Sequence, residues 1–266
     1  MRAAAVQLNA NEDTDRNLER ADRLVREAVA RGAELVVLPE KWTVLGTREH
    51  MAAGAQSLDG EAISWARSTA AQLGIDLVAG SLFERVEDAE KGFNTSVHVG
   101  PDGEIQSVYR KIHLFDVVTP DGKEYRESAA VGRGSEIVTY QLEGHTVGCS
   151  ICYDMRFPEL YQALAKQGAE IIVVPSAFTL QTGKDHWEPL LRARAIETET
   201  YVLAAAQTGG FAQGRRLHYG HSLVADPWGH VIAKAQDKVG FVTARLDFDF
   251  LRDVRARIPV QQHKVL

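Results

Sequence analysis

Gly32-Ala33-Glu34-Leu35-Val36-Val37-Leu38-Pro39-Glu40 ends a helical pattern on a glycine and then opens an apolar strand that stops at a proline and a carboxylate. The same shape returns in the second half as Gly168-Ala169-Glu170-Ile171-Ile172-Val173-Val174-Pro175-Ser176. Two explanations stay open at this point. Helix–glycine–strand junctions resemble one another, because glycine is a common helix stop and a buried strand needs only a short apolar run. The alternative is two pseudo-equivalent α–β halves, packed sheet against sheet with their helices outside. Continuous apolar strands such as Leu35 to Leu38 and Ile171 to Val174 fit sheets covered on both faces. No Pro-, Gly- or Ser-rich linker divides the halves, so one domain over residues 1–266 is expected.

Outward from these segments, strand-like and helical patterns alternate. Ala3–Leu8 reads as a first strand, and Thr14 or Asp15 can cap a helix whose apolar stripe is Leu18, Ala21, Leu24, Val25 and Ala28. A helix over Glu61–Leu73 precedes a strand from Ile75 to Phe83. Phe93–Val99 and Ile105–Tyr109 form a hairpin across Gly100-Pro101-Asp102-Gly103. In the second half Ile137–Leu142 and Thr146–Ile151 flank a Glu143-Gly144 turn, and a helix starts at Pro158, a residue suited to a first helical position. Helices over His186–Thr200 and Phe248–Arg257, a strand over Val202–Ala206, and two strands around Pro227-Trp228-Gly229 complete the pattern.

Composition narrows the class. Of 266 residues, 45% are hydrophobic and 25% charged, which suits a large globular core. The formal net charge of −6 and the scattered lysines and arginines give no basic block, so a nucleic-acid partner is not expected. No stretch reads as a secretory signal or membrane span. With two cysteines, Cys149 and Cys152, a cytoplasmic protein with reduced thiols is expected.

The segment richest in chemistry is Gly148-Cys149-Ser150-Ile151-Cys152-Tyr153-Asp154-Met155-Arg156-Phe157-Pro158-Glu159-Leu160. An apolar strand runs into Cys152, and a polar turn leads to the helix at Pro158. A nucleophile on such a turn faces a cleft beside backbone N–H groups that can hold an oxyanion, but a buried structural cysteine reads equally well. The Cys149-x-x-Cys152 spacing suits neither a redox pair, since Cys149 falls inside the strand, nor zinc, which lacks two further ligands. A thiol nucleophile needs a base and a cation. Glu40, ending a buried strand, can be that base, with burial raising its pKa, and Lys111 can be a fixed cation; each can also be a plain charge at a strand end. His186, His218 and His221 have no matching acidic cluster and read as packing and hydrogen-bonding residues.

Three ordered motifs resolve the choice. Leu38-Pro39-Glu40, Tyr109-Arg110-Lys111-Ile112-His113-Leu114-Phe115 and Gly148 through Leu160 closely resemble the motifs of the nitrilase superfamily of carbon–nitrogen hydrolases, and the likeness extends to Ile258-Pro259-Val260. The resemblance implies a four-layer αββα sandwich that dimerises and needs no cofactor or metal. It implies that Glu40 is the general base and that Cys152 forms a thioester. Lys111 and the Tyr153 backbone N–H would stabilise the tetrahedral intermediate, and Glu127 would position the lysine and substrate. Lys111 should lower the Cys152 pKa and Glu40 should raise it.

Within the superfamily the chain is most similar to the deaminated-glutathione amidase and omega-amidase branches, through Pro175-Ser176-Ala177-Phe178, His186-Trp187-Glu188 and Tyr219-Gly220-His221-Ser222 among others. That likeness implies a small α-keto-acid amide as substrate, with Arg156 anchoring its carboxylate and Phe178 and Thr182 lining the pocket. Arg215 and Arg216 are expected to reach the far end of a longer substrate. A nitrilase or aliphatic amidase is the nearest enzymatic alternative. A non-catalytic interaction module is disfavoured by the complete triad.

Overall fold

The computed structural model describes residues 1–211 and 216–265, with the backbone alone for Phe211 and Arg216. Its order of layers follows from how the apolar strands divide their side chains. In strand Arg2–Leu8 and its parallel neighbours Leu35–Val37 and Asp76–Val78, successive residues point to opposite faces. Ala3, Ala5, Leu35, Val37 and Val78 pack into one core with Val147, Ile171 and Val173 of a second sheet. Ala4, Val6, Leu8, Val36, Leu38 and Leu77 pack into another core, against Ala21, Leu24 and Val25 of helix Thr14–Ala30 and Ile63, Ala66 and Ala70 of helix Glu61–Leu73. The second sheet carries helices Pro158–Lys166 and Leu180–Thr198 through Leu160, Tyr161, Leu164, Trp187, Leu191 and Ala195. Helix, sheet, sheet, helix: the αββα sandwich is formed.

The first sheet gains strands on both sides of its parallel centre. Gly240–Arg245 pairs antiparallel with the first strand, and the hairpin Gly92–Val99 and Ile105–Arg110 joins beyond Asp76–Val78. The second sheet runs Thr139–Leu142, His145–Cys149, Ile171–Val173, Tyr201–Ala204, Leu223–Ala225, Val231–Lys234. Its first hairpin turns at Glu143 and Gly144, both with positive φ, the two-residue geometry that matches strand twist.

Three segments depart from the sequence reading. Ile75–Phe83 splits into Asp76–Val78 and Leu82–Glu84, because Gly80 takes φ +48° beside the Pro39 carbonyl, where a Cβ would lie only 2.0 Å away. The helix expected from His186 begins at Leu180, where the Thr179 side chain caps it by accepting from Thr182 N at 3.5 Å. Gly183, a poor helix residue by itself, is needed there because a Cβ would strike the Tyr219 side chain at 2.3 Å. The strand expected over Val202–Ala206 ends at Ala204. Ala206–Phe211 then crosses to the first sheet and pairs with Gln7 and Leu8, so one continuous stretch of chain ties the sheets together.

Candidate active site

The two echoed segments end at the same place. Glu40 follows the strand of the first sheet, and its Oε2 accepts from Ala177 N at 2.7 Å, just past Pro175-Ser176 of the second. Cys152 N donates to Pro175 O at 2.9 Å, which seats the cysteine turn on that strand end. Lys111, immediately after strand Ile105–Arg110, places Nζ 2.8 Å from Glu40 Oε1 and 2.9 Å from Glu127 Oε2. All three members of the expected triad are buried and line one cavity of about 1150 Å³. Cys152 has φ +47°, a left-handed conformation that costs a non-glycine residue on the order of 1–3 kcal/mol. The turn from strand to 3-10 helix Cys152–Arg156 holds it there. Tyr153 N–H falls in the first turn of that helix, where donors lack intrahelical partners.

Glu127 stands inside this cluster rather than in solvent. Its Oε1 accepts from Lys41 Nζ at 2.8 Å and its Oε2 from Phe115 N at 2.8 Å, besides Lys111. Asn94 Nδ2 donates to Glu40 Oε1 at 2.7 Å and to Glu127 Oε1 at 3.1 Å, so one amide spans both carboxylates. Two lysines and two glutamates therefore alternate in a largely buried, electrically balanced array. Burial alone would raise the pKa of each carboxyl, but Lys111 and Lys41 outweigh it, and both Glu40 and Glu127 are held below the ordinary glutamate value. The expectation that burial raises Glu40 is thus reversed by its two cations. Burial would lower Lys111, yet Glu127 and Glu40 push it well above the usual lysine value. For Cys152 burial and Glu40 both raise the pKa and prevail over Lys111, so the resting thiol is protonated.

Phe178 and Thr182 line the same cavity. Arg156 does not lie among its lining residues. Its guanidinium carbon sits 5.2 Å from the Phe178 ring centroid and 5.8 Å from that of Tyr153, with both terminal nitrogens 3.4 Å from His186 Nδ1. Glu197, a possible structural partner for Arg156, pairs with Arg194 instead. His221 Nδ1 faces the Ala235 carbonyl at 3.2 Å, and His218 lines the cavity. Cys149 ends strand His145–Cys149 in the core as a free thiol, pushed up to about 12 by burial. Arg215 lies outside the described residues, as does the side chain of Arg216.

Sequence reasoning missed Lys41, Asn94, Gln207 and Asp154. Asn94 carried a signal only in part, as a polar amide in a strand that also holds Thr95, Ser96 and His98. Gln207, after Ala204-Ala205-Ala206, donates to the Glu40 carbonyl at 3.0 Å. Asp154, fully buried, accepts from Tyr109 Oη at 2.7 Å, Ile151 N at 2.9 Å and His113 N at 3.0 Å, with His113 Nδ1 at 2.8 Å. It thereby joins the residues on either side of Lys111 to the turn that carries Cys152.

The family model described as carbon–nitrogen hydrolase matches residues 2–256. The chain belongs to the carbon–nitrogen hydrolase family. As a member it is a hydrolase of carbon–nitrogen bonds other than peptide bonds. It is 41% identical to a deaminated glutathione amidase of Synechocystis, over 99% of this chain and 97% of that one. It is 39% identical to the omega-amidase NIT2 of Danio rerio, over 99% of this chain and 94% of that one. Among solved structures, Saccharomyces cerevisiae Nit3, a member of branch 10 of the nitrilase superfamily, superposes with a TM-score of 0.91 at 30% identity, covering 100% of this chain and 97% of that one.

Proposed function

We propose that this hydrolase is a cysteine-dependent amidase acting on a small α-keto-acid amide of the deaminated-glutathione type, with Glu40, Lys111 and Cys152 as its catalytic residues. The observation that carries the reading is the Lys111 ammonium, buried between Glu40 and Glu127 in the cavity that holds Cys152. Glu40 takes the Sγ proton as Sγ attacks the amide carbon. The developing oxyanion is met by Lys111 and the Tyr153 N–H, and Glu40 returns the proton to the departing nitrogen to leave a thioester. Water activated by Glu40 then releases the acid. Moving a proton from a raised thiol to a lowered carboxylate is uphill at rest. It becomes favourable only as negative charge builds on the substrate oxygen beside Lys111, which is stabilisation confined to the transition state.

Two features support an anionic substrate of some length. The cavity is lined by Lys41, Arg48, Lys91, Lys111, Lys123 and Arg126 against Glu40, Glu90, Glu124 and Glu127, an excess of cations in a protein of net charge −6. Its volume of about 1150 Å³ exceeds the usual range for small-molecule sites and has room for a leaving group of peptide size. Phe178 and Thr182 wall the acyl end, and Arg156 sits against the Phe178 ring. The same chemistry on α-ketoglutaramate, an omega-amidase activity, would use only the inner part.

We further read residues 1–266 as one domain, working in the cytoplasm as a homodimer. Exposed Ile196, packed against Gly229, and exposed Trp228, next to Gly229 in the chain, support self-association, and the two reduced thiols suit that compartment. Among the described residues no helix is long and apolar enough to cross a membrane. The function is tested by rates on deaminated glutathione, α-ketoglutaramate, a simple aliphatic amide and a nitrile. Cys152→Ala should abolish turnover with the circular-dichroism spectrum retained, and rapid quenching of wild type should show the acyl mass on the Cys152 peptide. Residual wild-type rates in Cys152→Ala, or a nitrile as the fastest substrate, would overturn it.

A further inference from the structure

We infer that Lys41 is a substrate-binding residue that selects amides carrying a carboxylate one short carbon chain from the scissile carbonyl; this rests on the amidase reading above. The argument begins with the backbone. In extended chain, neighbouring side chains point to opposite faces, so the residue after Glu40 should turn away from the site. Lys41 instead has φ +54°, in the left-handed region that a non-glycine residue adopts only when its surroundings impose it. The kink brings Glu40 and Lys41 into the same cavity, while Trp42 continues into the helix-side core and donates Nε1 to the Ala79 carbonyl at 2.7 Å. Lys41 N donates to Ser81 Oγ at 3.1 Å, and Ser81 Oγ donates to Asn94 Oδ1 at 2.6 Å. Asn94 is the amide that spans both carboxylates, so the kink and the catalytic cluster are parts of one network.

The two lysines of that cluster differ in what they face. Lys111 is 1% exposed and its ammonium contacts two carboxylates, whereas Lys41 is 18% exposed and its ammonium meets Glu127. An ammonium has three N–H donors, so Lys41 has donors left for an incoming anion. Glu127 separates the two ammonium groups by the width of one carboxylate, with a hydrogen bond on each side. A substrate whose carbonyl is polarised by Lys111 therefore places its carboxylate on Lys41 when two or three carbons separate the two groups. The ω-amides of four- and five-carbon dicarboxylates have that spacing, as does the acyl part of an α-ketoglutaryl peptide.

The experiment compares succinamate and glutaramate with the straight-chain amides of the same length that lack the carboxylate. In Lys41→Gln the preference in kcat/KM for the carboxylate-bearing amide should fall by roughly ten- to a hundredfold, mostly through KM. Lys41→Arg should retain more of that preference than Lys41→Gln. Calorimetry of glutarate binding to Cys152→Ala, with and without Lys41→Gln, reads the same contact without turnover, and the added substitution should weaken binding by a similar factor. An unchanged preference and unchanged glutarate binding in Lys41→Gln would overturn the inference, as would their loss in Arg156→Gln alone. A wild type that hydrolyses no amide would refute the amidase reading, while the glutarate measurement would still decide Lys41.

Discussion

At the scale of single residues, the site is an exercise in charge balance. Glu40, Glu127 and Lys111 are buried together beside the partly covered Lys41, and each of the four keeps its charge because its neighbours do. Glu127→Gln leaves two buried lysines facing one carboxylate. It should destabilise the protein by about 3 kcal/mol and lower kcat at least about a hundredfold, measured by urea unfolding and steady-state rates. The pH dependence has a definite sign. Both carboxyls are depressed in the folded state, so their stabilisation is complete above the unfolded glutamate value of about 4.3 and is lost as pH falls from there through the lower folded values. The lysines are raised, so their contribution is complete below the unfolded lysine value of about 10.4 and is lost only as pH rises past it. Unfolding free energy from this cluster should be flat between about pH 5 and pH 9 and fall below about pH 4. A decline already at pH 6 would contradict that ionisation pattern.

At the scale of elements, Asp154 does the joining. Lys111 sits two residues from both Tyr109 and His113, Cys152 sits beside Ile151, and one buried carboxylate holds all three partners. Asp154→Asn keeps the shape but turns one acceptor into a donor facing donors. It should cost about 2 kcal/mol and lower kcat more than it raises KM, because the lysine and the nucleophile lose their common anchor. Melting curves beside Michaelis profiles check this, and an unchanged kcat in a destabilised protein would confine Asp154 to folding. The expected triad was legible in the sequence because Glu40, Lys111 and Cys152 each stand at or near the end of a strand within a motif. Asp154 was visible in the third motif, but nothing in the sequence said that its partners lie beside Lys111. Lys41 was hidden for another reason: alternation assigns it to the far face, and only the left-handed backbone brings it back.

At the scale of the whole molecule, the sheets are bound by chain crossing as well as by packing. Tyr201–Ala204 belongs to one sheet and Ala206–Phe211 to the other, so the core between them is sewn through at Ala205. The surface offers a contrast in Ile196, which lies against Gly229, and in Trp228, the residue before it, 48% and 47% exposed. If these residues form the dimer contact, Trp228→Glu should shift sedimentation from dimer to monomer with the far-ultraviolet spectrum unchanged. A dimer that persists would move the interface elsewhere.

The sequence by itself determined the alternation of strand and helix, the two-sided burial of the central strands, the ordered motifs that carry Glu40, Lys111 and Cys152, and the family. Those properties follow from local periodicity and from motifs read along the chain. Tertiary structure alone decided that the two echoed segments end at one cavity, and that Glu127 is buried between two lysines. It alone decided that Glu40 is lowered rather than raised, and that Arg156 rests against Phe178 while Lys41 faces the cavity. Each of these depends on which distant charges and backbone turns are brought within a few ångströms. Coulomb interaction and desolvation act through space, without regard to order along the chain.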